Sequence, residues 1–265
     1  MVRVSLSEGK SSVGGSVQND GMWIAVTRNL AQRDAATRWL QNEIAGPASP
    51  DVIFLQEVPA PLVRQPPAGY VAIPKNADPS RGRVSMLLIS ERVRPLVTDK
   101  PAAFSALGSY AAHVRVQLPG GMEVLLASVH VRPSSEGVQA ARPTGVSRRS
   151  CETRPWWSDV VMAELADLPD TPAIIAGDFN QAYAWDDDHP GHECQQAFFA
   201  HASDLGLVDV TMRDWGRERP TRRRPDYQLD RIFASTSIAG RVVAAPEPPA
   251  HDDASDHAPI RFTIR

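Results

Sequence analysis

Two cysteines in 265 residues, Cys151 and Cys194, are too few for the disulfide framework of a small secreted scaffold. A reducing compartment, the cytoplasm, is therefore expected, with a single Cys151–Cys194 bridge left open. No run approaches the ~20 apolar residues of a membrane helix. The first 21 residues also lack the apolar centre of a secretory signal, although loss of an earlier signal from a longer precursor stays open. They are rich in Ser and Gly and read as a flexible leader. Residues 22–265 show no break in composition and are expected to form a single domain. The net charge of −3 gives no global pull towards polyanions. Lysine is nearly missing as well, 3 against 25 arginines.

What is present is ordinary in bulk and uneven in detail. Hydrophobic residues at 42% and charged residues at 22% suit a globular domain long enough to bury a substantial core. The arginines cluster at Arg148-Arg149-Arg154 and at Arg217, Arg219, Arg222, Arg223 and Arg224. A GC-rich coding sequence and solvated loops explain such clusters blandly. Guanidinium groups also recognise phosphate bidentately, which is the functional reading.

Short apolar runs bounded by Gly, Pro and Asp predict strands at 22–30, 52–58, 70–73, 84–89, 92–97, 111–118, 122–131, 173–176, 229–234, 241–244 and 260–264. Pro119-Gly120-Gly121 marks a hairpin. Three segments have helical spacing. One is capped by Asp34 and carries Ala35, Trp39, Leu40 and Ile44; another opens at Pro155; the third covers 193–205. Two sheets packed face to face, with helices outside, would house this pattern.

Polar signatures stand where the predicted strands end, a place where a rigid scaffold can hold catalytic groups. Glu57 closes an apolar run, where a loop-capping carboxylate is the plainer explanation. Asp178 and Asn180 follow Gly177 in Gly-Asp-Phe-Asn; they suit either an Asx-type turn or the orientation of a water and a phosphoryl oxygen. Asp230 is embedded in a strand, and His130 ends the second hairpin strand. Asp256 and His257 are adjacent on extended backbone, so they point apart and suit two roles. A buried Asp beside a His would fix its tautomer and raise its pKa.

In this order the pieces resemble the endonuclease/exonuclease/phosphatase superfamily over residues 22–265. The matching segments are Thr27-Arg28-Asn29, Leu55-Gln56-Glu57, a basic-Gly segment from Arg81, His130, Gly177-Asp178-Phe179-Asn180, Leu229-Asp230-Arg231 and Ser255-Asp256-His257. One departure is Arg28, where the family carries an aromatic. The resemblance implies an α+β fold: a four-layered α/β/β/α sandwich of two mostly antiparallel sheets, like deoxyribonuclease I. It implies Mg²⁺, or Mn²⁺ in its place, held by Asn29, Glu57 and Asp256. It further implies that Asp178 and Asn180 orient water, that His257 works with Asp230, and that His130 contacts the phosphate. A histidine in the central hairpin resembles the branch containing deoxyribonuclease I, sphingomyelinases and several phosphatases. The arginine loops favour a nucleic-acid backbone as substrate, with contacts expected from Arg81, Arg222, Arg223 and Arg224 on a monomer. The rival readings are a phosphatase or phospholipid phosphodiesterase of the same superfamily, and a non-catalytic module with this fold.

Overall fold

Alternation along each strand divides its side chains between two faces. The computed structural model describes residues 21–33, 35–73, 84–93, 95–96, 105–132, 157–167, 172–188, 194–223, 226–246 and 251–265. Residues 1–20 of the leader, Asp34, Arg81, the 148–154 cluster with Cys151, Pro155 and Arg224 lie outside these residues. The strands are β1 (Trp23–Asn29), β2 (Val52–Gln56), β3 (Tyr70–Ile73), β4 (Met86–Ser90), β5 (Pro95–Leu96), β6 (Ala111–Gln117), β7 (Glu123–His130), β8 (Ala173–Asp178), β9 (Leu207–Asp209), β10 (Asp230–Ser235), β11 (Val242–Ala244) and β12 (Ile260–Ile264). The helices are α1 (Ala35–Ala45), α2 (Ala60–Arg64), α3 (Trp157–Ala166), α4 (Tyr183–Asp188), α5 (Cys194–Asp204), α6 (Val210–Trp215) and α7 (Thr236–Ala239).

One six-stranded sheet runs β11-β12-β1-β2-β4-β3 and the other β5-β6-β7-β8-β10-β9. Two pairs, β1–β2 and β7–β8, are parallel; the other strand pairs are antiparallel. The inner faces supply the central core, with Ala25, Val52, Phe54, Leu126, Ile174, Ala176, Ile232 and Phe262 buried between the sheets. Outer-face residues Val26, Ile53, Leu55 and Leu88 pack with Leu40 of α1 and Leu62 of α2. On the other side Val129, Ile175 and Phe233 pack with Val161 of α3 and Phe198 of α5. Helix, sheet, sheet and helix make the expected four layers.

Within this frame the inner-face alternation runs on past the apolar core. Ala25 leads through Thr27 to Asn29, Phe54 to Gln56, Leu126 through Ser128 to His130, Ala176 to Asp178, and Ile232 back to Asp230. Both parallel pairs end at the same edge: Asn29 registers with Gln56, and His130 with Asp178. The antiparallel neighbour β10 begins there, with Asp230 opposite Asp178. The 251–259 segment enters β12 beside the end of β1. Period two therefore places apolar groups at mid-sheet and chemical groups at one end. Gly177 lets this happen. Its φ is +153°, and a Cβ there would lie 2.0 Å from the carbonyl oxygen of Val129 on the adjacent strand. Any side chain would force β7 and β8 apart where their terminal residues must meet.

Candidate active site

Asp178 is the centre of the arrangement. Its Oδ1 accepts from the Asn180 N–H at 2.9 Å, and its Oδ2 accepts from Asn29 Nδ2 at 2.8 Å. The same Asn29 amide donates to Glu57 Oε1 at 3.2 Å, while Asn29 Oδ1 accepts from the Ala31 N–H at 2.8 Å. Asn29 thus bridges two carboxylates through its nitrogen and commits its oxygen to the backbone. Glu57 has φ +48°, which turns the chain immediately beyond β2 and brings its carboxylate round to this point. His130 Nε2 lies 3.4 Å from Glu57 Oε1 and 3.9 Å from Asp178 Oδ2. Opposite, His257 Nε2 lies 4.0 Å from the same Asp178 oxygen, and its Nδ1 pairs with Asp230 Oδ2 at 2.8 Å.

Burial makes these charges interact strongly. Burial raises the Asp178 carboxyl above its ordinary 3.8; the nearby His257, His130 and Asn29 pull it down without overcoming that. Burial alone would depress His257, but the attraction of Asp230 and the hydrogen bond to it prevail and lift the imidazole to about 9. His257 is therefore an imidazolium at neutral pH, with Nε2–H aimed towards Asp178. For Asp256, burial is outweighed by His257, its backbone hydrogen bond, Arg222 and Arg33, and its carboxyl stays below the usual range.

Asn180 does not continue the strand. The strand stops at Asp178, Asn180 turns into a left-handed conformation at φ +48°, and its Nδ2 holds the Val131 carbonyl at 2.7 Å. The Asx turn and the site thus occur together, and Asn180 ties the end of β8 to the segment carrying His130. Asp256 faces guanidinium groups, with Arg222 Nε at 3.4 Å and Arg33 at 3.7 Å. Arg222 also pairs with His257 as an isolated antiparallel bridge, and Arg223 N–H donates to the Asp256 carbonyl at 2.8 Å. The arginine-rich loop therefore lies against the terminal signature. Arg81 and Arg224 fall outside the described residues.

Several supporting groups had no motif of their own. Gln56 Nε2 donates to Ser128 Oγ at 2.9 Å across the inter-sheet gap, and that hydroxyl donates to the Leu55 carbonyl. Ser255 Oγ donates to the Asn29 carbonyl at 2.7 Å and accepts from His257 N–H at 3.0 Å, pinning the terminal signature to the end of β1. Thr221 Oγ1 receives the N–H groups of Leu229 and Asp230 at 3.1 and 3.0 Å. Gln56 and Ser255 sit inside motifs that drew attention to their neighbours; Thr221 carries no signal in sequence.

Arg28, the departure noted above, is fully buried. Its guanidinium grips Asp252 with two hydrogen bonds of 3.0 and 2.5 Å and lies 4.6 Å from the Trp39 ring centroid. Asp252 Oδ1 also accepts from Ala254 N–H at 2.8 Å, so this pair fixes the turn that leads to Asp256 and His257. The pair is asymmetric, because the Asp252 side chain is 43% exposed and Arg28 is not exposed at all. Asp252→Asn leaves a buried cation unpaired, whereas Arg28→Met leaves an anion that water can reach. Urea denaturation should show Asp252→Asn destabilising by about 3 kcal/mol and Arg28→Met by less. The reverse order would mean that packing on Trp39, and not charge pairing, anchors this turn.

Two carboxylates and an imidazole, Glu57, His130 and Asp178, offer ligand atoms within 4.8 Å of one another. The profile of the Endonuclease/Exonuclease/phosphatase family matches residues 24–257, across all of these groups. The chain belongs to that family. Endonuclease/Exonuclease/phosphatase proteins are metal-dependent phosphoesterases, and this site retains a buried His/Asp/Glu cluster of that kind. Solved structures with the family's fold include the AP endonuclease LMAP from Leishmania major, at 16% identity and TM-score 0.67 over 92% of this chain and 88% of that one. The endonuclease domain of TRAS1, a telomere-specific non-LTR retrotransposon, shows 16% identity and TM-score 0.64 over 92% and 98% of the two chains. The 3′ phosphatase NExo from Neisseria, bound to a product DNA hairpin, shows 18% identity and TM-score 0.61 over 92% and 99%. Likeness at these identities establishes the fold alone. No curated protein sequence matches the chain.

Proposed function

We propose that this protein is a Mg²⁺-dependent phosphodiesterase that cuts nucleic-acid backbones, with Mn²⁺ as an alternative cation. The observation that carries the reading is the convergence on Asp178 of Glu57 and His130 from one side and of the Asp230–His257 pair from the other. The donor set fits the cation: two carboxylates and one imidazole make up the cluster, so oxygen donors predominate. Glu57 and Asp178 would hold the metal, with Asn29 keeping their oxygens together; Asp256, which the resemblance adds as a ligand, pairs here with Arg222 and Arg33. When bound, the cation polarises the phosphoryl group and lowers the pKa of water.

The chain's own residues do the rest. Asp178 aligns a water for in-line attack on phosphorus and accepts its proton as the bond from phosphorus to the leaving sugar oxygen breaks. The two imidazole nitrogens stand 3.9 and 4.0 Å from Asp178 Oδ2, which leaves room for an oxygen lying off either line to bridge ring and carboxylate. His257, cationic and steered by Asp230, donates Nε2–H to the developing negative charge. His130 contacts the phosphate from the Glu57 side. Arg222, Arg223 and Arg33 present positive charge beside the site for the neighbouring backbone. The folds compared above, named as endonucleases and as a phosphatase with a DNA product, support nucleic acid as the substrate class.

Plasmid and oligonucleotide cleavage with Mg²⁺, and with excess chelator, tests the reading. Activity should vanish with chelator and return with Mg²⁺ or Mn²⁺. Glu57→Gln should weaken metal binding at least tenfold by calorimetric titration, because a neutral amide is a poorer ligand for a hard cation. Undiminished cleavage under chelation would remove the metal from the mechanism. Hydrolysis of phosphomonoesters or sphingomyelin, with all nucleic acids left intact, would move the substrate to a rival branch.

A further inference from the structure

Among the described residues the exposed large hydrophobic side chains are Trp185, at 39%, and Val243, and only Trp185 is aromatic. Trp185 lies on α4, five residues beyond Asn180. It meets Tyr227 edge to face, with ring centroids 5.8 Å apart. Tyr227 is three residues before Asp230, and its carbonyl accepts from the N–H groups of Thr221 and Arg222 at 3.1 and 3.2 Å. Arg222 in turn bridges to His257. The aromatic pair is thus held on the rim of the catalytic centre, one strand pairing away from a catalytic histidine. The surrounding charge is directional. The Tyr227 hydroxyl donates to Asp188 at 2.7 Å, which sets a carboxylate at the end of the ring, while the backbone side of Tyr227 meets Arg222, whose guanidinium reaches Asp256 beside the site.

We propose that Trp185 and Tyr227 form a stacking subsite for one nucleobase of the strand being cut, with its sugar–phosphate passing towards Arg222. The proposal deepens the nuclease reading and rests on it. An aromatic face receives any base, so the subsite positions a strand without reading its sequence. The hydrogen bond to Asp188 holds the Tyr227 ring in place, and the acidic edge turns the polyanion back towards the arginines.

The test pairs protein variants with base removal. A set of single-stranded oligonucleotides carries one abasic spacer, moved position by position, and kcat/KM is measured relative to bis(4-nitrophenyl) phosphate, a diester without a nucleobase. In the parent, one spacer position should lower the ratio by about tenfold. Trp185→Ala should lower it similarly on intact oligonucleotide and show no further loss at that spacer; Trp185→Phe should restore much of the sensitivity, and Tyr227→Leu should weaken it. Equal spacer losses in the parent and in Trp185→Ala at every position overturn the subsite while leaving the nuclease reading intact. A parent that hydrolyses the small diester but no oligonucleotide overturns the nuclease reading itself.

Discussion

Asp178→Asn is expected to lower kcat on the order of 10³-fold while the protein stays folded. The carboxylate takes two hydrogen bonds, from Asn180 N–H and Asn29 Nδ2, and faces two imidazoles. An amide of the same size can accept only one of those donors, so one buried N–H is left facing another, at a cost of about 1–3 kcal/mol. Against this, the variant no longer buries an anion that its surroundings disfavour. Because burial raises the Asp178 pKa, the native state holds the proton more tightly than the unfolded chain does. Ionisation of Asp178 therefore works against folding as pH rises above its ordinary 3.8, and this penalty disappears in the variant. In chelator, the stability of Asp178→Asn relative to the parent should improve between pH 4 and pH 7. Activity should fall at every pH, since the proton acceptor is gone. Single-turnover rates with urea denaturation at both pH values separate the two effects. A kcat within tenfold of the parent would leave the attacking water to some other residue.

The parts of the fold that were legible in sequence are those that repeat. The long strands and the helices α1, α3 and α5 declare themselves by period two or by helical spacing over several residues. β9, α2, α4 and α7 are three to six residues long, too short for a period to register. α6 is instructive, because its local chemistry was present: Asp209 caps it by accepting from Met212 N–H, and Gly216 ends it in the left-handed conformation. At the site, the motifs named residues that the fold brings together, but not how those residues pair. Leu-Gln-Glu and Ser-Asp-His pointed to Glu57 and His257, but nothing local says that Asn29 presents its nitrogen and not its oxygen to the carboxylates. Arginine misled most by composition. Arg28 and Arg231 are among the largest fully buried side chains. Arg231 pairs with Asp209 at 2.8 Å and with Glu218, whose carboxylate also caps the Tyr183 and Ala184 N–H groups that start α4. Such arginines assemble the scaffold. The ones beside Asp256 are those proposed to meet substrate, and only tertiary contact sets them apart from the buried ones.

Asp230→Asn should slow turnover about 10²-fold or more and bring the His257 pKa from about 9 back towards its ordinary 6.5. Asp230 is fully buried on β10, registered opposite Asp178, and its Oδ2 lies 2.8 Å from His257 Nδ1. It does two things at once: it fixes the ring with Nε2 towards the site, and it keeps the ring cationic at neutral pH. The amide preserves shape but stabilises the cation far less, so burial, which favours the neutral ring, gains the upper hand. The stability that the raised pKa contributes is fully present below pH 6.5 and is lost as pH rises through about 9. The stability gap between parent and Asp230→Asn should therefore narrow over that interval. NMR titration of the histidine ring in metal-free protein reads the pKa directly. Since Asp230 acts through His257, combining it with His257→Ala should cost little more than the worse single change. Losses that multiply across the four proteins, with an unmoved histidine titration, would mean that Asp230 supports β10 and that His257 is poised by Asp178 and Asp256 alone.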